Sequence, residues 1–146
     1  MSFNSAPIFE IVRLIDLQPP RETGFCMLVD PLGEPRLVPD LREELAVRFA
    51  GSPGVIDVRD ETVSGLVEQL RTIQDAVVLM YGFDRWDDHL FASLDVNSSR
   101  LETGGFLVFS VDLKTAGRFL YSAPNIRSFL GANIFVAAPD PSVMTQ

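Results

Sequence analysis

The chain has 146 residues, 47% of them hydrophobic and 22% charged, a size and balance that suit one folded domain with a core of its own. Its 20 acidic residues against 12 basic ones leave a net charge of −8, which opposes the electrostatic attraction that nucleic acids and anionic membrane surfaces need; neither is an expected partner. Cys26 is the single cysteine, so no intrachain disulfide, thiolate metal cluster or CxxC redox pair is available, and a reducing compartment fits.

The opening stretch, residues 1–9, lacks the basic region and apolar run of a signal peptide, and no run approaches the ~20 apolar residues of a membrane span. A cytoplasmic location is expected. Ile8, Ile11, Val12 and Ile15 share one apolar face and predict an N-terminal helix over 7–17, which Pro19 and Pro20 end. Phe25 to Val29 is the first of five short apolar runs, the others being Val55 to Val58, Ala76 to Tyr81, Phe106 to Val111 and Asn133 to Ala137. They are continuous rather than alternating, as a parallel sheet covered on both faces requires.

Helices are predicted between them. Asp40 and Glu43 form a capping box ahead of Leu41, Leu45 and Phe49. Val63, Leu66, Val67, Leu70 and Ile73 make the clearest helical stripe. Asp84 and Asp87 open a segment carrying Trp86, Leu90, Phe91 and Leu94, which breaks near Asn97 or Ser98. Asp112 caps a helix bearing Ala116, Phe119 and Leu120, and Pro124 splits it from a second one that ends at Gly131. Residues 139–146 read as a loose tail. The expected fold is a single α/β domain over 1–146: a doubly wound, mainly parallel five-stranded sheet with helices on both faces, the first strand interior.

In such sheets ligands bind at the carboxyl ends of the strands, and an acidic residue stands near each one: Asp30, Asp57 with Asp60, Asp84, Asp112 and Asp140. Gathered on one rim these could hold Mg²⁺; helix capping accounts for more of them singly and is the preferred reading. The first strand-to-helix loop, Asp30-Pro31-Leu32-Gly33-Glu34-Pro35-Arg36-Leu37, lacks the glycines, Lys and Ser or Thr of a phosphate loop, and its prolines offer no amide donors. After the third strand the acid arrives late, at Asp84, with Tyr81 where a metal-associated Asp would stand. A receiver-type phosphotransfer site also fails, because no acidic pair follows the first strand and no Lys the fifth. His89 is the only histidine, beside Leu90 and Phe91 on a predicted helix, and Cys26 lies within the first strand; both are read as structural.

The segment from Trp86 to Phe135 carries Leu94-Asp95-Val96-Asn97-Ser98-Ser99-Arg100-Leu101, Gly105-Phe106-Leu107-Val108-Phe109 and Ala123-Pro124-Asn125-Ile126-Arg127-Ser128-Phe129. It resembles bacterial ATPases of the AAA/STAND type, which show L-N-x-x-R-x-x-L, P-L-V-F-W-L and A-P-D-L-W-S-W-R at these places. Asn125 and Phe129 depart from that pattern, and the residues that bind ATP are missing. The resemblance implies a P-loop NTPase-like strand order without nucleotide hydrolysis, a pseudo-NTPase. Arg100 and Arg127 are the basic residues of the matching motifs; contact with a nucleotide phosphate is one reading, and pairing within the fold is the preferred one.

The expected function is therefore a non-catalytic protein-interaction and regulatory or signalling module with no cofactor and no metal, binding a protein partner of basic character or self-associating. Tyr81, Phe83, Trp86 and Asp87 are the expected contact, because aromatic residues dominate binding hot spots and an acidic rim steers a basic partner. The alternative is a nucleotide-dependent regulator using Asp30, Asp84 and Arg127 at the strand ends.

Overall fold

The structure is a computed structural model and describes residues 6–19, 21–31, 33, 37–48, 53–73 and 76–137. In chain order the elements are α1 (Ala6–Leu17), β1 (Gly24–Asp30), α2 (Leu37–Arg48), β2 (Gly54–Asp57), α3 (Val63–Thr72), β3 (Val77–Tyr81), a 3-10 turn (Phe83–Arg85), α4 (Asp88–Val96), a second 3-10 turn (Ser98–Leu101), β4 (Phe106–Asp112), α5 (Leu113–Ser122), α6 (Pro124–Leu130) and β5 (Ile134–Val136). The tail expected at 139–146 lies outside the described residues.

All strand pairs are parallel and the order is β2-β3-β4-β1-β5. The first strand is interior, between β4 and β5, as expected. Alternate side chains of each strand feed two separate cores. Phe25, Met27 and Val29 of β1 join Val78, Met80, Leu107 and Phe109 beneath α3, α4, α5 and α6. Cys26 and Leu28 join Val77, Leu79, Phe106 and Val108 beneath α1 and α2. This two-sided burial is why the strands read as unbroken apolar runs.

The chain leaves β1 through α2 on one face, reaches the far edge at β2, and returns by β3 and β4 through α3 and α4 on the other. Direction and face reverse together, so the crossovers keep one hand, as the right-handed rule demands. β1 and β4 are thus neighbours whose outgoing connections run to opposite faces, and their carboxyl ends diverge.

Local chemistry explains the helix ends, with two departures from expectation. α2 starts at Leu37, so Asp40 lies inside its first turn rather than at a cap; Pro39 is tolerated there because first-turn amides have no intrahelical acceptor in any case. α3 is capped by Thr62, whose Oγ1 accepts from the Gly65 N–H at 2.9 Å, and not by Asp60. Asp87 and Asp112 do cap α4 and α5, accepting from Leu90 and Thr115 at 2.8 and 2.7 Å. Pro124 opens α6 as a separate helix.

Candidate functional site

An open cleft of about 850 Å³ lies over the carboxyl ends of the strands, where the connections of β1 and β4 diverge. Open parallel sheets place their ligands here. The strand termini supply its base: Asp30 from β1, Ser110, Val111 and Asp112 from β4, and Tyr81 from β3. Asp30 and Asp112 are register partners across the β1–β4 ladder, so two carboxylates stand side by side at adjacent strand ends. Asp112 is tied to its cap. Asp30 is 7% exposed. Arg42 and Glu43 of α2 form one wall, and Asp84 of the first 3-10 turn forms another.

A second acid–base pair closes the far end. The Arg59 guanidinium donates from Nε to Asp57 Oδ1 at 3.0 Å and from Nη2 to Oδ2 at 2.6 Å, a two-pronged pair, while the Arg59 backbone N–H donates to Oδ1 at 3.0 Å. The hydrogen-bonded guanidinium holds the Asp57 carboxyl below the usual carboxylate range, and the Asp57 carboxylate in turn pushes Arg59 further up. Arg59 also lies over the Tyr81 ring, 5.8 Å from its centroid. Gly82 makes this packing possible: it holds φ 95°, and a Cβ there would stand 2.6 Å from Asp57 Oδ1 and 2.7 Å from Arg59 Cγ.

Of the expected contact, Phe83 and Trp86 are each only 1% exposed. The expectation is corrected: they are the centre of an aromatic core, with Phe83 meeting Trp86, Phe109 and Phe119 edge-on or tilted at centroid separations of 5.1 to 5.8 Å. Burial of the Trp86 ring brings its Nε1–H to the Val58 carbonyl at 2.7 Å, satisfying the one polar group of the indole. Arg118 donates to the Trp86 carbonyl and, at 3.3 Å, to Asp88, covering this core from outside. Asp87 is exposed and serves as a cap, and Tyr81 is a half-buried part of the cleft.

The nucleotide set is likewise divided. Asp30 and Asp84 share the cleft, but Arg127 sits on α6 at the opposite edge, two residues before Phe129, whose ring stacks at 5.2 Å on Phe25 near the start of β1. Arg127 is therefore no partner of theirs. Residues 32 and 34–36 of the loop that would hold phosphate lie outside the described residues. Among the described residues no group of three or more His, Cys, Asp or Glu is placed to hold a metal ion, and no helix is long and apolar enough to cross a membrane. His89 is exposed on α4, and Cys26 is fully buried in β1, its thiol pushed up by desolvation. Neither lines the cleft.

Sequence reasoning missed Arg59, Arg42 and Glu43 as cleft residues. The D-x-R spacing at Asp57 and Arg59, directly after a strand, was the available signal. It also missed Asp95, a carboxylate 5% exposed within α4. Asp95 falls four residues after Phe91 and one after Leu94, on the buried side of the helix, and its oxygens accept the N–H groups of Asn125 at 3.2 Å and Ile126 at 2.8 Å. Comparison with protein-family models, curated proteins and solved structures finds no match to the chain.

Proposed function

We propose that the chain is a non-catalytic binding and regulatory domain whose strand-end cleft receives a basic segment of a partner protein. One observation carries this reading. The cleft sets four carboxylates, Asp30, Glu43, Asp84 and Asp112, around a half-buried apolar floor of Val38 and Val55, against two lining guanidiniums, Arg42 and the Arg59 that Asp57 already pairs. A Lys or Arg side chain would lay its aliphatic stem on that floor and its charge among the carboxylates; a phosphate would meet those carboxylates first. The non-catalytic reading is supported by the places of the single cysteine and the single histidine, Cys26 and His89, neither of which lines the cleft. Descent from an NTPase-like fold is supported by the insertion of β4 between β1 and β3 and by the motifs of residues 86–135.

Titration of ¹⁵N-labelled protein with a lysine-rich peptide tests the reading. Shifts are expected at Asp30, Gly82 and Val111, weakening as salt is raised, with no ATP or GTP turnover above a heat-killed control. Stabilisation by a nucleotide with Mg²⁺, and turnover lost in Asp84→Asn, would replace it with the nucleotide-dependent alternative.

A further inference from the structure

Helix α2 is the wall between two hollows. Its inner side, Leu37, Leu41 and Leu45, is buried in the core. Arg42 and Ala46 border the strand-end cleft, while Asp40, Glu44 and Val47 border a recess of about 350 Å³ that Ile8 and Phe9 of α1 close from the far side. Glu43 falls on the crest of the helix, opposite the buried side, and lines both hollows. Phe9 is 49% exposed and Val47 83%, two large apolar side chains that the fold leaves in water, and they meet at this one recess from different helices. Its charged lining, Asp40, Glu43 and Glu44, is wholly acidic, with Arg48 reaching Glu44 at 3.6 Å. An apolar hollow rimmed by carboxylates and joined over one glutamate to an acidic cleft fits a ligand that is both basic and apolar.

We propose that the partner segment received by the cleft continues over α2 and seats a large apolar side chain between Phe9 and Val47. The proposal rests on the cleft reading above and adds the chemistry of the partner: a basic cluster and an apolar anchor, with no acidic residue between them where the segment crosses Glu43. An α-helix with its side chains is about 10–12 Å across and an extended chain advances about 3.3 Å per residue, so the two anchors stand roughly three to four residues apart. The apolar anchor leaves water together with Phe9 and Val47, a gain that basic residues alone do not supply.

A ¹⁵N chemical-shift titration of the whole chain tests this with peptides of two lysines, three serines and a leucine, made in both orders, each against its counterpart with serine for leucine. The leucine peptide of one order is expected to bind about tenfold tighter than its counterpart and to add shifts at Phe9 and Val47 to those at Asp30, Gly82 and Val111. Val47→Ser, at an exposed position where the melting temperature should not move, is expected to remove most of that gain and to leave binding of the serine peptides as it was. Serine peptides that shift the cleft residues, with no gain from leucine in either order or a gain unchanged in both Val47→Ser and Phe9→Ser, overturn the inference and leave the cleft reading standing. Cleft residues unmoved by every peptide overturn both.

Discussion

The backbone N–H of Ile126 donates a 2.8 Å hydrogen bond to the buried carboxylate of Asp95, thirty-one residues earlier in the chain. Asp95 also takes the Asn125 N–H, so a side chain of α4 caps the first turn of α6, a helix whose own N-cap residue, Ala123, has no side-chain acceptor. Two segments remote in the chain, α4 and the first turn of α6, are thereby bonded to each other. Asp95→Ala leaves buried amides without acceptors, and a loss of about 2 kcal/mol is expected, the scale of a cap combined with a charged hydrogen bond. In a domain of this size that lowers Tm by roughly 4–8 °C. Amide exchange at Asn125 and Ile126 should accelerate first; protection equal to the parent's would show that α6 holds without this bond.

Trp86 is the only tryptophan, so intrinsic fluorescence reports its surroundings alone. Emission of the native chain is expected to be blue-shifted from the unfolded chain and weakly quenched by acrylamide. Trp86→Phe keeps the ring contacts but deprives the Val58 carbonyl of its indole donor, at a cost of roughly 1–3 kcal/mol; Trp86→Ala costs roughly 3–5 kcal/mol through the cavity it leaves. Red-shifted native emission would contradict the burial described.

Asp57 titrates below its ordinary value because Arg59 hydrogen-bonds its charged form. A carboxyl depressed in the folded state contributes stability that is fully present above the unfolded value of about 3.9 and is lost as pH falls through the lower folded value. The pair therefore matters at neutral pH and disappears in acid. Carboxyl NMR should place the Asp57 titration below that of an unfolded peptide, and Arg59→Gln should return it to the ordinary range and flatten stability against pH below about 4. An Asp57 titration unmoved by Arg59→Gln would mean that the pair does not form in solution.

The Cys26 thiol is fully buried and its deprotonation strongly disfavoured. A thiol-specific reagent should leave the native chain unmodified over hours and react at once in denaturant, since the thiolate is the nucleophile. Rapid native modification would indicate local opening of β1, an interior strand of the sheet.

Element type and order were legible in the sequence because the forces behind them are local or one-dimensional. Continuous apolar runs mark strands buried on two faces, the helical spacing of Val63, Leu66, Val67, Leu70 and Ile73 marks α3, and Asp87, Asp112 and Pro124 act on amides within a turn of themselves. Tertiary structure decided what depends on neighbours remote in the chain. Phe83 and Trp86 follow a strand end, where a surface contact and a cover over the sheet end are both open to them, and Phe109 and Phe119 close over Phe83 while the Val58 carbonyl accepts the Trp86 indole. Asp95 lies on the buried side of α4 by its spacing from Phe91, but only the first turn of α6 supplies the N–H groups that its carboxylate accepts. Arg127, weighed beside Asp30 and Asp84, is carried to the far end of the sheet, because α5 and α6 together span the distance back from the carboxyl end of β4. The sequence set which faces were apolar; the winding of the sheet set which polar groups met.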